Sequence, residues 1–337
     1  MHTVIVTRRI RLLLLVVGLS IAASLVWHEG PRTIAGMLAC VGWRFAAAAA
    51  IYAVHVVVRA SALWRTLLDG HVRFADVLRI RLSGEAVEML TFTGPFLAEP
   101  AKGWLLENRG VTTPAAFAAV ITEYLLYTLV ASWLMIAAVW LLLERGALPP
   151  GMRPAAWLAT SFVIAFLAAF AFAAIAGVGL IVPLLRASRA LIGRQNAERA
   201  ARGFRPVEEL IIRFLHEHPG RLAEVVAIED AAHILLIVEI WIVIQALGFS
   251  PSWTAAMIVE GGVKFVSIAF AFIPGQVGAS EGVYALLAAA IGLPAAAGVA
   301  LVLVRRIRGL LVAAAGVLAL ALFDDHSDAK MSVEGGP

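Results

Sequence analysis

Six stretches of this chain are apolar for long enough to cross about 30 Å of hydrocarbon, and that feature leaves few folds open. They lie at roughly residues 10–27, 34–58, 115–143, 155–184, 226–247 and 296–322. Inside a bilayer the backbone has no water to bond, so helices are the expected element. Composition agrees: 61% of the residues are hydrophobic, 15% are charged and the mean hydropathy is +0.90. A soluble core cannot hide that much Leu, Ala and Val. The expectation is an all-α integral membrane protein with one transmembrane domain over residues 1–325 and a short tail at 326–337. Arg8, Arg9 and Arg11 ahead of the first run resemble a signal peptide, with Ala22 and Ser24 near its end. A bulky Trp27 and a second run directly behind it favour an uncleaved anchor.

Arginine placement orients such a chain. Arg8, Arg9 and Arg11 precede the first run, Arg59, Arg65, Arg73, Arg79 and Arg81 follow the second, and eight arginines lie between Arg186 and Arg221. The alternate loops, His28 to Thr33, Glu144 to Pro154 and Gly248 to Trp253, are poor in basic residues by comparison. Both termini and a basic loop at 185–225 are therefore expected in the cytoplasm, with the chain in the cytoplasmic (inner) membrane. The loop suits anionic lipid headgroups. A net charge of +4 does not point to nucleic acid, because the basic residues sit in short loops without interleaved aromatics. Cys40 is the single cysteine, so the chain has no internal disulfide and no two-cysteine metal site.

Two further apolar stretches, 82–99 and 254–273, carry Glu85, Glu88, Glu260 and Lys264, and end in the breakers Pro95 and Pro274-Gly275. A lipid-exposed charge costs about 2.5–3.5 kcal/mol near the bilayer centre. Broken or re-entrant segments lining a protected cavity fit better. The segments behind the two breakers are similar. Pro95 with Pro274, Lys102 with Glu281 and Gly103 with Gly282 are all 179 residues apart, and Pro114 with Pro294 needs one inserted residue. The spacing predicts two copies of one unit, at about 34–143 and 226–322. Pro100 suits a first helical position, Gly110 a helix end and Thr113-Pro114 a new start; Ser280 suits a cap, Gly292 an end and Pro294 a start. The run before the first breaker heads inward and the run before the second heads outward, so the repeat is expected to be inverted. Inverted repeats with broken helices meeting near the midplane characterise many secondary transporters, and a channel or an intramembrane enzyme can share that layout. Pro274, Gly275, Gly278 and Gly282 are expected where they meet.

IPGQVGASEG, residues 273–282, resembles the P-G-x-x-G-x-x-E signature of the flippase-like family typified by the transmembrane region of lysylphosphatidylglycerol synthase, the multiple peptide resistance factor. AEPAKGWLL, residues 98–106, is similar to that family's G-E-x-x-R segment, with Ala98 for the glycine and Lys102 for the arginine. VITEYLL around Glu123 resembles its E-R-L segment with Tyr124 for the arginine, and Arg305-Arg306 fall where it carries an intramembrane arginine. The resemblance implies movement of an amphiphilic lipid or lipid-linked molecule between leaflets. In the synthase a separate cytoplasmic domain transfers the aminoacyl group; here DDHSDAKMSVEGGP comes after the last run, and that reaction is not expected.

Arg44, Glu123, Glu229, Asp230, His233, Glu239, Arg305, Arg306 and Arg308 all fall within the runs and are expected to pair in the bundle interior. The residues expected to meet substrate are Lys102, Glu281, Glu99, Glu123, Glu239, Arg305 and Arg306. Lys102 and Glu281 stand out because each comes just after a breaker at the start of a short helix, where freed N–H groups make a polar site. Lys102 suits a lipid phosphate. Glu281 suits a cationic headgroup, a coupling proton or a pairing with Arg305 or Arg306. HEHPG at 216–220 lacks the i, i+4 histidine spacing of a zinc helix, and neither a G-x-S-x-G elbow nor a Walker loop is present. No metal, cofactor or catalytic residue is therefore expected. Three readings remain: a lipid transporter, an intramembrane lipid-modifying enzyme using Glu123, His233 or Glu281, and a non-catalytic partner of a lipid-biosynthesis complex. The expected partners are membrane lipids, with lipid-biosynthesis enzymes and a second copy of the chain left open.

Overall fold

The computed structural model describes residues 24, 27, 28, 30–68, 71–90, 95–145, 151, 153–269 and 276–334, and its regular elements are helices. The run at 10–27 therefore lies almost wholly outside the described residues. The run at 34–58, expected as one span, is two helices: α1 (Pro31–Val41) ends at Gly42, whose φ of 45° few other residues adopt, and α2 (Arg44–Thr66) comes next. α2 continues beyond residue 58 because Arg59 is buried and paired inside the bundle. α3 (Phe74–Leu90) and α4 (Pro95–Glu107) are separated by residues outside the description. Pro95 opens α4, so Pro100 lies in the helix interior and not at its first position. Gly110 terminates the turn after α4 at a φ of 85°, and Thr113-Pro114 opens α5 (Thr113–Glu144), as expected.

α6 (Arg153–Ala176) stops at Gly177, where φ is +65°, so the run expected to reach residue 184 is cut short and α7 (Ile181–Ala187) begins separately. The basic segment at 185–225, expected as a loop, is helical through α8 (Arg189–Ile192) and α9 (Arg194–Glu217). α9 buries Ala197, Ala201, Val207, Ile211 and Phe214 along one face and exposes its arginines on the other. Ala118 and Ile121 of α5 receive that apolar face, and Glu208 accepts the first free N–H groups of α7 from Ile181 and Val182 at 2.6 and 3.1 Å. α10 (Pro219–Ala246), α11 (Trp253–Ala269), α12 (Ala279–Ala290) and α13 (Ala295–Glu334) complete the chain, and α13 continues through most of the segment expected as a tail. Gly292 ends α12 at a φ of 83° as expected, but its N-cap is Gly278 and not Ser280.

Among the described residues three helices are both long and apolar enough to cross a membrane: α2, α5 and residues 156–176 of α6. α10 and α13 have the length, at 28 and 40 residues, but carry ionised side chains within it. The chain is thus a helical membrane protein, with Glu123, Glu229, Glu239 and Glu260 among the charged residues buried inside it.

Three antiparallel helix pairs build the bundle. His55, Arg59 and Arg65 of α2 meet Ala232, Glu229 and Glu224 of α10 in descending order. α3 runs against α13, where a Cβ on Gly316 would lie 2.1 Å from the Leu82 carbonyl oxygen. α11 runs against α5 in the same manner, a Cβ on Gly261 falling 2.6 Å from the Leu134 carbonyl oxygen. Only glycine permits approaches this close. α3 and α11 begin 179 positions apart and both are 17 residues long.

Candidate functional site

Glu123 sits on α5 with no exposed surface. Its Oε1 accepts from Arg59 of α2 at 2.5 Å and from Arg81 of α3 at 3.2 Å, and Lys102 of α4 stands 3.7 Å from Oε2. Each cation has a second partner. Arg81 bonds Glu85 at 2.7 Å, Lys102 bonds Glu99 at 2.7 Å, and Arg59 Nε faces Glu229 of α10 at 3.4 Å. Three helices thus each bring a cation to the Glu123 carboxylate of a fourth, and α10 joins them through Arg59. This cluster has four carboxylates, Glu85, Glu99, Glu123 and Glu229, against three cations.

The second cluster has a guanidinium at its centre. Arg305 of α13 donates to Glu260 of α11 at 3.0 Å and to the Tyr284 hydroxyl of α12 at 2.7 Å, and its Nε faces Glu239 of α10 at 3.6 Å. Arg308 pairs with Glu239, Lys264 with Glu260 at 2.9 Å, and Arg306 with Glu281 at 2.9 Å. Four cations here meet three carboxylates, the reverse of the first cluster. Two tyrosines join the clusters. Tyr127 carries the Arg59 guanidinium 3.6 Å over its ring and accepts from Lys264 at 2.6 Å. Tyr52 donates to Glu85 at 2.9 Å and carries Arg308 3.5 Å over its ring.

Positions about 180 residues apart hold opposite charges. Arg81 and Glu260, Glu85 and Lys264, and Lys102 and Glu281 are each 179 residues apart; Arg59 and Glu239 are 180 apart, and Glu123 and Arg305 182 apart. Leu134 and Gly316, the close-approach residues of α5 and α13, share that last spacing of 182. Taking an ion out of water costs several kcal/mol even after relaxation, so clusters like these persist only when nearly every charge has a partner. Some oxygens nevertheless lack a donor. Both of Glu229, and Oε2 of Glu123, are buried without a hydrogen bond.

All seven residues expected to meet substrate fall in these clusters: Lys102, Glu99 and Glu123 in the first, and Glu239, Arg305, Arg306 and Glu281 in the second. Lys102, expected at a helix start, lies well inside α4 and is 2% exposed, held by carboxylates and not by free N–H groups. Glu281 does lie in the first turn of α12, where it accepts the Gly278 N–H at 2.7 Å. Of its two expected partners it takes Arg306, the most exposed cation of the second cluster, with 28% of its side chain open. Gly278 has a φ of 82°, but Gly282 lies inside α12, where an added Cβ would meet nothing within 4 Å. Pro95 starts α4, while Pro274 and Gly275 lie outside the described residues. Arg44 is exposed and reaches the Gln245 carbonyl at 3.4 Å. Arg59 and Arg81, counted from sequence as loop arginines, are buried members of the first cluster. The signal that could have placed Arg81 is its spacing of 179 from Glu260.

No curated protein and no solved structure matches the chain. The family model of the lysylphosphatidylglycerol synthase TM region matches residues 11–316, nearly all of the 337, and the chain belongs to that family of membrane proteins.

Proposed function

We propose that this protein moves an amphiphilic lipid, or a lipid-linked molecule, from one leaflet to the other without altering it chemically. The observation that carries the reading is the pair of buried, sign-reversed ion clusters joined through Tyr52 and Tyr127. A headgroup crossing the bilayer must shed much of its water, and a charged groove inside the bundle lowers that barrier while the acyl chains stay in lipid. Membership of a family defined by a lipid-related membrane region supports the same class of substrate.

In this reading α2–α5 and α10–α13 are two copies of one unit in opposite orientations, with six spans and two broken segments in all. The antiparallel packing of α2 on α10, and the crossed pairs α3 with α13 and α5 with α11, are what such a pseudo-two-fold arrangement requires. Both termini and α9 lie on the cytoplasmic side. Arg65, Arg221 and α9 gather at one end of the bundle, where Arg65 pairs with Glu224 and Arg221 donates to the Leu67 carbonyl at 3.3 Å. Removing Arg59 and Arg81 from the loop count leaves this end the basic one.

Leaflet-resolved lipid analysis of cells with and without the gene tests the proposal. One lipid class should shift from one leaflet to the other at unchanged total amount. An unchanged distribution of every class would remove the transport reading, and a change in a lipid's covalent structure would favour an intramembrane enzyme.

A further inference from the structure

Glu123 and Glu229 close on the same guanidinium from two helices, α5 and α10, at 2.5 and 3.4 Å. Both carboxylates are 0% exposed. Glu123 Oε2 and both oxygens of Glu229 make no hydrogen bond, although Lys102 stands 3.7 Å from the first and Arg59 Nε 3.4 Å from Glu229 Oε2. Two ionised carboxylates cannot bond each other, since neither carries a hydrogen. One proton supplies the missing donor: on Glu229 it makes an O–H that donates to Glu123, and it brings the first cluster to four acids and four positive charges in all. We propose that the Glu123–Glu229 pair holds one exchangeable proton and couples lipid movement to a proton gradient.

The cations around the pair are shared with other carboxylates. On α2, Arg59 is bonded to Glu123, faces Glu229 through Nε at 3.4 Å without a hydrogen bond and stacks on Tyr127, and His55 uses Nδ1 on the Ala232 carbonyl oxygen at 3.0 Å. Arg81 of α3 and Lys102 of α4 are committed to Glu85 and Glu99 as well as to Glu123. On α10 itself, His233 Nδ1 faces the Glu229 carbonyl oxygen at 2.8 Å, and Asp230 is exposed. α11 presents Lys264 and Glu260, which are bonded to each other, and Arg305 and Arg308 of α13 are held by Glu239. α9 meets this end of α10 through apolar Phe214 and Leu215, and α1 meets the other end through Met37 and Leu38. With the pair protonated, the joined clusters carry one net positive charge, which an anionic headgroup balances. Proton and headgroup then travel together, and this coupling rests on the transport reading above.

Infrared spectroscopy of the purified protein tests the proton without any transport. Wild type at neutral pH should show a protonated-carboxyl C=O band that shifts in ²H₂O, titrates in a pH series and is missing from Glu229→Gln. Glutamine keeps a donor at that position, so the variant should fold. The pH series on wild type decides the point even where the variant does not. Absence of such a band in wild type, or its survival in both Glu229→Gln and Glu123→Gln, overturns the proton site. Coupling is read in liposomes holding labelled phosphatidylglycerol: translocation by wild type should be several-fold faster under an imposed pH gradient, and by Glu229→Gln equal with and without it. A gradient-independent wild-type rate overturns the coupling. No lipid movement in either condition removes the transport reading and the coupling with it, leaving the infrared result to decide the proton site alone.

Discussion

Glu123 serves three cations from three helices, so removing its carboxylate strands three charges at once. Breaking one buried pair from one side costs roughly 3–5 kcal/mol. Glu123→Ala should therefore lose at least that much stability, read as a strongly lowered midpoint of thermal unfolding in detergent. Lys102→Ala should cost far less, since Glu123 keeps Arg59 and Arg81, and Glu99 is partly open to solvent. Equal midpoints for Glu123→Ala and wild type would show that the cluster does not hold the bundle. Glu123, Glu239, Arg305 and Arg306 were legible in sequence as charges within apolar runs, and Lys102 and Glu281 by their place behind the two breakers. Their partners were not, because Arg59 lies 64 positions and Arg81 42 positions from Glu123. Arginine counting cannot tell a loop arginine from one whose counter-ion sits on a distant helix.

Among the helices, close approach is set by glycine. A Cβ on Gly298 would fall 2.1 Å from the Tyr284 carbonyl oxygen, and one on Gly316 the same distance from that of Leu82. Both contacts are to backbone, which cannot turn aside, so Gly298→Ala and Gly316→Ala should each destabilise by about 1–3 kcal/mol or more. Gly282→Ala, with nothing to meet, should instead stabilise α12 by up to about 1 kcal/mol. Unfolding midpoints of the three variants check the order, and a Gly316→Ala protein as stable as Gly282→Ala would contradict the packing. Gly110 and Gly292 showed in sequence as helix ends because positive φ is a local demand. The breaks at Gly42 and Gly177 did not, since hydropathy stays high across both and the runs looked continuous. α9 was missed for a different reason: its apolar residues recur at helical spacing within a stretch whose arginines dominate any average.

For the molecule as a whole, orientation and transport are the claims at stake. In a Cys40→Ser background, Arg199→Cys on α9 should react with an impermeant thiol reagent only from the cytoplasmic side, and Gly151→Cys only from outside. Both positions are exposed, and labelling of Arg199→Cys from outside would reverse the orientation derived from the basic end. The spacing of 179 between Lys102 and Glu281 was legible in sequence, while the opposite charges of Arg81 and Glu260 at the same spacing drew notice only once both were seen inside the ion clusters. The central claim is that the bundle carries lipid across the bilayer, and it is tested most directly by the purified protein in liposomes containing a labelled lipid. Wild type should expose inner-leaflet label to an external quencher faster than protein-free liposomes do, with the lipid recovered chemically unchanged, and the Lys102→Ala, Glu281→Gln double mutant should lose most of that rate while remaining folded. A wild-type rate no greater than that of empty liposomes would contradict the account.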